Sequence, residues 1–173
     1  MGVHKQEAEQ QALLALAYHD YAEGMRSYSF FKTSNSETSA DLVQDTFIKT
    51  WIYLVKGGKI DLMKAFLYHI LNNLIVDEYR KRKTLSLDVL LEKGDEPSTD
   101  YFERLPDILD GKIAILLIQY LPIKYREVMY MRYKQDLSIK EISLATGRSK
   151  NVVAVQAHRG LKGLRLLYER NKS

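Results

Sequence analysis

A chain of 173 residues with 46% apolar residues can bury the core of one ordinary domain or of two small ones. It contains no cysteine, which excludes disulfides and thiolate metal sites as sources of stability. The first 30 residues lack the basic start and apolar run of a signal peptide, and no apolar run approaches the roughly 20 residues that span a bilayer. We therefore expect a globular cytoplasmic protein without membrane insertion.

The net charge of +4 is distributed unevenly along the chain. Residues 1–83 carry 11 basic and 10 acidic side chains, residues 84–111 carry 2 and 8, and residues 112–173 carry 13 and 4. A surplus of cations in the last third is typical of nucleic-acid binding, although a solvated basic face would give the same count. The charge becomes informative only with a structural motif beside it.

The charge blocks coincide with a division into two domains and a linker. The middle block contains Gly94, Pro97 and Pro106 and shows no sustained helical period, which is typical of a flexible segment. Elsewhere apolar residues recur with helical spacing, and no alternating strand pattern of useful length is found. The sequence predicts an all-α fold with small helical domains at residues 1–83 and 112–173, joined by an acidic linker at residues 84–111.

The N-terminal block predicts three helical regions. Residues 12–32 form one helix or two, and a polar loop follows at residues 33–39. A helix over residues 41–55 buries a stripe with helical spacing, made of Val43, Phe47, Trp51 and Leu54. Its other face carries polar side chains, acidic at the N-terminal end: Asp41, Gln44, Asp45 and Lys49. Residues 56–59 break this helix, and the next begins near Asp61 and ends in a basic cluster at residues 79–83.

The C-terminal block predicts a helix-turn-helix. A first helix carries the apolar stripe Ile113, Leu116, Leu117 and Tyr120, and Pro122 fits the first turn of the next helix. Ser138 and Glu141 match a capping box at the start of a short helix. Gly147 permits the left-handed conformation that ends this helix, and Ser149 can cap the last one.

The last helix alternates an apolar face with a basic one, as does a helix that enters the major groove of DNA. Lys and Arg there can contact phosphates or guanine edges, and Ala or Val can contact thymine methyls. A plain helical hairpin with a solvated basic face is the alternative. The residues predicted to face duplex DNA are Arg148, Ser149, Lys150, Asn151, Ala154, Val155, His158, Arg159 and Lys162.

Both blocks resemble sigma factors of bacterial RNA polymerase. The C-terminal block looks like region four in LP (121–122), YREV (125–128), LSIKEI (137–142), GRS (147–149) and HRGLK (158–162). The N-terminal block is similar to region two of the extracytoplasmic-function group in DLVQDTF (41–47), FLY (66–68), Trp51, Asn73, Asp77 and Arg80. The two matches stand in the family's order around the linker and cover most of the chain.

The resemblance implies a division of labour between the helices of the first domain. The face with Asp41, Gln44, Asp45 and Lys49 would dock on the clamp helices of the largest polymerase subunit. The third helix would read the melted promoter strand, where rings stack on bases, an amide bonds to base edges and cations neutralise phosphates. The residues suited to this are Phe66, Tyr68, Asn73, Tyr79, Arg80, Lys81, Arg82 and Lys83. Phe66 can alternatively pack in the core, and Asp77 can pair with Arg80 or Lys81 one turn on.

The partners implied are core RNA polymerase, promoter DNA as duplex and as single strand, and an anti-sigma factor. The linker is either a plain tether or a segment that threads an interior channel of the polymerase. The alternative interpretation is a helix-turn-helix transcriptional regulator whose N-terminal domain dimerises, and an adaptor module comes third.

Enzyme chemistry is not expected, nor is any cofactor, metal or small-molecule substrate. His4, His19, His69 and His158 have no metal-ligand spacing. The segment GGK at 57–59 lacks the rest of a phosphate-binding loop, and SFFK at 29–32 lacks the companion motifs of an acyl-serine enzyme.

Overall fold

The computed structural model describes residues 2–85 and 110–172, which form helices joined by short connections and contain no strand. A 3-10 turn (Ile118–Tyr120) separates the fourth and fifth of the seven α-helices in this described part. Their bounds are α1 (Gly2–Thr33), α2 (Ser36–Val55), α3 (Met63–Leu85), α4 (Asp110–Leu117), α5 (Ile123–Tyr133), α6 (Ile139–Thr146) and α7 (Lys150–Lys172). The predicted all-α fold is confirmed. Most of the predicted linker, residues 86–109, lies outside the described residues.

Helix α2 buries more of its surface than its apolar stripe predicts. Val43, Phe47 and Leu54 are buried as expected, but Trp51 is only half-buried and Thr46 and Thr50 take up central positions. The hydroxyl of Thr46 donates to the carbonyl of Leu42 at 2.7 Å, and that of Thr50 donates to the carbonyl of Thr46 at 2.8 Å. Because each hydroxyl bonds one turn back, a threonine enters the core with its polar atom satisfied.

The predicted polar loop at residues 33–39 is wrong for most of its length. The connection between α1 and α2 is only Ser34 and Asn35, and α1 is one continuous helix. Asn35 is the N-cap of α2, since its side-chain oxygen accepts from the backbone N–H of Thr38 at 2.8 Å. Ser36, Thr38 and Ser39, which suggested a loop, lie in the capped first turn of α2.

The start of the C-terminal domain also departs from the predicted stripe. Leu117 is buried as expected, but Leu116 is exposed and Ile118 is buried in its place. The 3-10 turn that follows α4 has three residues per turn, so it changes the helical register at this point.

The helix-turn-helix is confirmed in its local details. The backbone N–H of Ser138 donates to Glu141 Oε2 at 2.8 Å, and the N–H of Glu141 donates to Ser138 Oγ at 3.2 Å, which completes the capping box. Gly147 ends α6 with a φ of +71°. Ser149 Oγ accepts from the N–H of Val152 at 3.3 Å at the start of α7. Close packing against α5 requires Gly160, where an added Cβ would lie 2.6 Å from Met129 Cγ.

The two domains pack against each other. Helices α1 to α3 form one bundle and α4 to α7 the other, with α3 lying along α6. Tyr28 and Tyr68 of the first domain and Tyr130 of the second belong to one continuous cluster of buried residues. None of the helices in the described ranges combines the length and apolar character that crossing a bilayer demands.

Candidate nucleic-acid and polymerase interfaces

The basic face of α7 points away from the rest of the molecule. Val153 and Leu164 hold the opposite face of the helix in the core. Tyr125 of α5 lies beside this face: desolvation raises its pKa, but hydrogen bonds and charge from Lys124 of α5 and Arg159 of α7 lower it more, so that the pKa lies below its ordinary value. The predicted duplex-binding side chains that are exposed are Ser149, Lys150, Asn151, Ala154, Val155, His158, Arg159 and Lys162.

Arg148 differs from the other predicted duplex contacts because its guanidinium is engaged within the domain. Nη2 pairs with Glu127 Oε2, and Nη1 donates to Gln156 Oε1 at 3.3 Å. The carbonyl of Arg148 also accepts from Ser143 Oγ at 2.6 Å. These bonds brace the turn between α6 and α7, so Arg148 positions the last helix in this arrangement.

The predicted polymerase face of α2 is exposed at all four of its positions, namely Asp41, Gln44, Asp45 and Lys49. The structure adds Ile48, 56% exposed, and Ile52, 45% exposed, one turn apart on the same helix. Neither residue was among those predicted from the sequence, although their spacing from Gln44, Asp45 and Lys49 places them on this face. An acidic, polar surface with an apolar centre is suited to a basic helical partner.

The predicted strand-reading residues on α3 fall into different environments. Asn73 is exposed, and its amide nitrogen lies 3.3 Å from His69 Nε2. Phe66 is half-buried with its ring 4.9 Å from that of Tyr53. Tyr68 is only 1% exposed, and its hydroxyl donates to Gln135 Oε1 of the second domain at 2.7 Å. In this arrangement Tyr68 joins the two domains and is closed to a base.

The basic end of α3 is partly tied to its own domain. Arg80 pairs with Asp77 at 3.6 Å, as the sequence predicts. Arg82 bonds Glu78 at 3.1 Å and donates to Thr38 Oγ1 at 3.0 Å. The hydroxyl of Tyr79 donates to the carbonyl of Lys32, while Lys81 and Lys83 are exposed. This cluster therefore keeps cations at the surface, where they are available to phosphates.

A groove of about 510 Å³ runs between the loop before α3 and the second domain. On one side it is lined by Tyr53, Phe66 and His69, and on the other by Lys140 and Leu144 of α6. Among the residues that the structure describes, no group of three or more His, Asp or Glu is placed to hold a metal ion. What the groove offers is therefore aromatic and apolar surface with cations at its edge.

Both helical domains match known family models. Residues 17–84 match the model described as sigma-70 region 2, and residues 112–164 match that described as sigma-70, region 4. Together the two matched segments cover well over half of the chain, in the order that the family has. The chain belongs to the sigma-70 family. The first segment contains the faces of α2 and α3, and the second contains the helix-turn-helix.

Relatives of this sigma factor align with it over most of their own length. It is 26% identical over 166 residues to RNA polymerase sigma factor SigV of Bacillus subtilis, and the alignment covers 94% of this chain and 95% of that protein. It is 27% identical over 144 residues to ECF RNA polymerase sigma factor SigW of the same organism, covering 76% and 75%. The predicted membership of the extracytoplasmic-function group is confirmed.

A solved structure has the same fold. Sigma factor RpoE of Bartonella quintana, in a co-crystal structure with the anti-sigma factor NepR, aligns with a TM-score of 0.64 and 22% identity. The alignment covers 90% of this chain and 96% of that chain, so both helical domains have counterparts there.

Proposed function

We propose that this protein joins core RNA polymerase and directs it to promoters, with each domain holding one promoter element. The observation that carries the proposal is the pairing of region 2 and region 4 segments in one chain. A regulator that only binds DNA has no need of the region 2 segment. Acting with polymerase on the chromosome, the protein would work in the cytoplasm and without a catalytic step of its own.

The geometry supports a specific assignment of faces. The exposed face of α7, centred on Asn151, His158 and Arg159, would enter the major groove of the upstream element. The exposed face of α2, centred on Asp45 and Ile48, would dock on polymerase. The face of α3 with Phe66 and Asn73 would capture the melted strand of the downstream element. We further propose an anti-sigma partner, because the aligned RpoE structure is such a complex.

Transcription from a promoter library with purified, sigma-free core polymerase tests the proposal. We expect defined transcript start sites that appear only when the protein is added. A helix-turn-helix regulator would bind some of the library without initiating transcription. Replacing both Asp41 and Asp45 with Ala should abolish initiation while leaving duplex binding intact, whereas a protein that remains active after this change would contradict the assignment of α2.

A further inference from the structure

The exposed face of α7 is not uniformly basic, because two valine side chains interrupt its cations near the start of the helix. Val152 is 45% exposed and Val155 is 47% exposed. Side chains three residues apart on a helix are neighbours, with Cβ atoms about 5–6 Å apart. The two valines therefore form one apolar strip, and Asn151 is exposed beside it.

The apolar strip forms part of a surface depression between α7 and α5. The depression has a volume of about 340 Å³. On the α7 side it is lined by Asn151 and both valines, and on the α5 side by Lys124 and Tyr125. A ligand seated there would meet hydrocarbon and an amide together, with a cation close by.

The arginines nearest the apolar strip are engaged within the domain. Arg148 pairs with Glu127 and donates to the side chain of Gln156. Arg159, one turn beyond Val155, interacts with the hydroxyl of Tyr125. Guanine is read most often by Arg or Lys, whose donors reach its O6 and N7 atoms. The strip itself can form no such bonds.

The chemistry of the strip suits A·T base pairs. In the major groove, thymine presents a C5-methyl group, and the edge of adenine pairs with the amide of Asn or Gln. A valine that covers this methyl buries apolar surface on both sides of the contact. Cytosine presents an amine donor instead, which would lose its water and gain no acceptor from a valine. The strip therefore favours thymine and disfavours cytosine.

We propose that the start of α7 reads a short A·T run in the upstream promoter element, with Val152 and Val155 contacting thymine methyl groups and Asn151 pairing with an adenine edge. The inference rests on the proposed function for the role of α7 and adds the class of base pair that this helix selects. The surrounding cations would contact phosphates, which fixes the position of the helix without choosing a base.

Selection from a pool of random duplexes with the full chain provides the first test. We expect the enriched sequences to share a run of A·T pairs. Each thymine of an enriched duplex is then replaced by deoxyuracil, which removes the methyl group and keeps the hydrogen-bonding edge. At the positions in contact with the strip, affinity should fall about three- to fivefold for each methyl removed, the scale of burying one such group.

Substitutions in the strip identify the side chains that read the methyl groups. Val152→Ala and Val155→Ala should each weaken binding to the thymine duplex and should each abolish the effect of deoxyuracil at one position. The dependence of affinity on salt should not change, because no phosphate contact is lost. Leu166→Ala is the matched control, since Leu166 is 54% exposed on the same helix and lies about three turns further on.

Equal affinity for thymine and deoxyuracil duplexes would overturn methyl reading. An enriched site made of G·C pairs, or no enrichment at all, would overturn the selection of A·T pairs. If both valine variants kept the full response to deoxyuracil, the assignment to the strip would be wrong. Failure to initiate transcription would count against the proposed function instead, because the duplex selection contains no polymerase.

Discussion

Glu127 of the second domain accepts from Tyr28 and Lys32 of the first domain and pairs with Arg148 of its own domain. Burial raises its pKa, but Lys32 and Arg148 lower it more, with further help from the hydroxyl of Tyr28, so the pKa lies below the ordinary value of 4.5. Burial and Glu127 raise the pKa of Tyr28 well above its ordinary range. The carboxylate is therefore stabilised as an anion, and the phenol as a neutral donor.

The lowered pKa predicts a pH dependence of stability. A carboxyl with a lower pKa in the folded state contributes stability above its unfolded pKa and loses it as pH falls through the folded pKa. The free energy of unfolding of the parent should therefore exceed that of Glu127→Gln above about pH 5, and the difference should shrink by about pH 3. Urea unfolding across this range measures it. Glu23→Gln, an exposed change, should give no such convergence, and a constant difference for Glu127→Gln would contradict the assignment.

Two residues distinguish the duplex face from the strand-reading face. Arg159→Ala should weaken binding to a selected duplex by about 1–3 kcal/mol if the guanidinium reads a guanine edge. Asn73→Ala should leave duplex binding unchanged and reduce promoter opening, measured with permanganate on the polymerase complex. Arg170→Ala near the end of α7 is the control for lost charge. Equal losses of duplex affinity for Arg159→Ala and Asn73→Ala would contradict the scheme.

At the level of single elements, α6 depends on its capping box because the helix is short. Ser138→Ala leaves the N–H of Glu141 without its side-chain acceptor and should lower the free energy of unfolding by about 1 kcal/mol. Ser138→Thr keeps a hydroxyl at the N-cap and should lose much less. Urea unfolding of both variants provides the measurement. A loss as large for Thr as for Ala would show that the cap is not what Ser138 contributes.

Elements with local causes could be predicted from the sequence. The capping box at Ser138, the left-handed Gly147 and the cap at Ser149 each involve neighbours within a few residues, and all three are present. Burial of Thr46 was missed because its hydroxyl is satisfied by its own helix, which residue polarity does not reveal. The start of α2 was missed because the residues that cap a helix are also typical of loops.

The candidate interfaces were predicted less completely, because some of the contacts that decide their exposure join residues far apart in the sequence. The exposed face of α7 follows from helical periodicity, and its residues lie where the sequence places them. The burial of Tyr68 depends on Gln135, which is 67 positions further along the chain. No local pattern carries such a contact, so the burial of Tyr68 becomes visible only in the folded molecule.

At the scale of the whole molecule, the contacts that hold the domains together differ in strength and in their response to salt. Partly exposed ion pairs contribute about 0.2–1 kcal/mol and are screened by salt. An aromatic pair adds about 0.5–1.5 kcal/mol to what its buried area already contributes, and salt does not screen it. The stacked rings of Phe31 and Tyr130 should therefore contribute more to the stability of the domain contact than the ion pair of Lys32 and Glu127 does.

The greater strength of the ring stack predicts how the contact between the domains responds to salt and to substitution. Raising the ionic strength to about 1 M should lengthen the distance between spin labels on the two domains only slightly. At a Debye length of about 3 Å, salt weakens the ion pair but leaves the ring stack unchanged. Phe31→Ala should lengthen it far more, since the stack with Tyr130 is lost. Phe30→Ala is the matched control, because Phe30 is 52% exposed on the same helix. If salt separated the domains and Phe31→Ala did not, charge would be the dominant contact between them, and their packing would be governed by ionic strength.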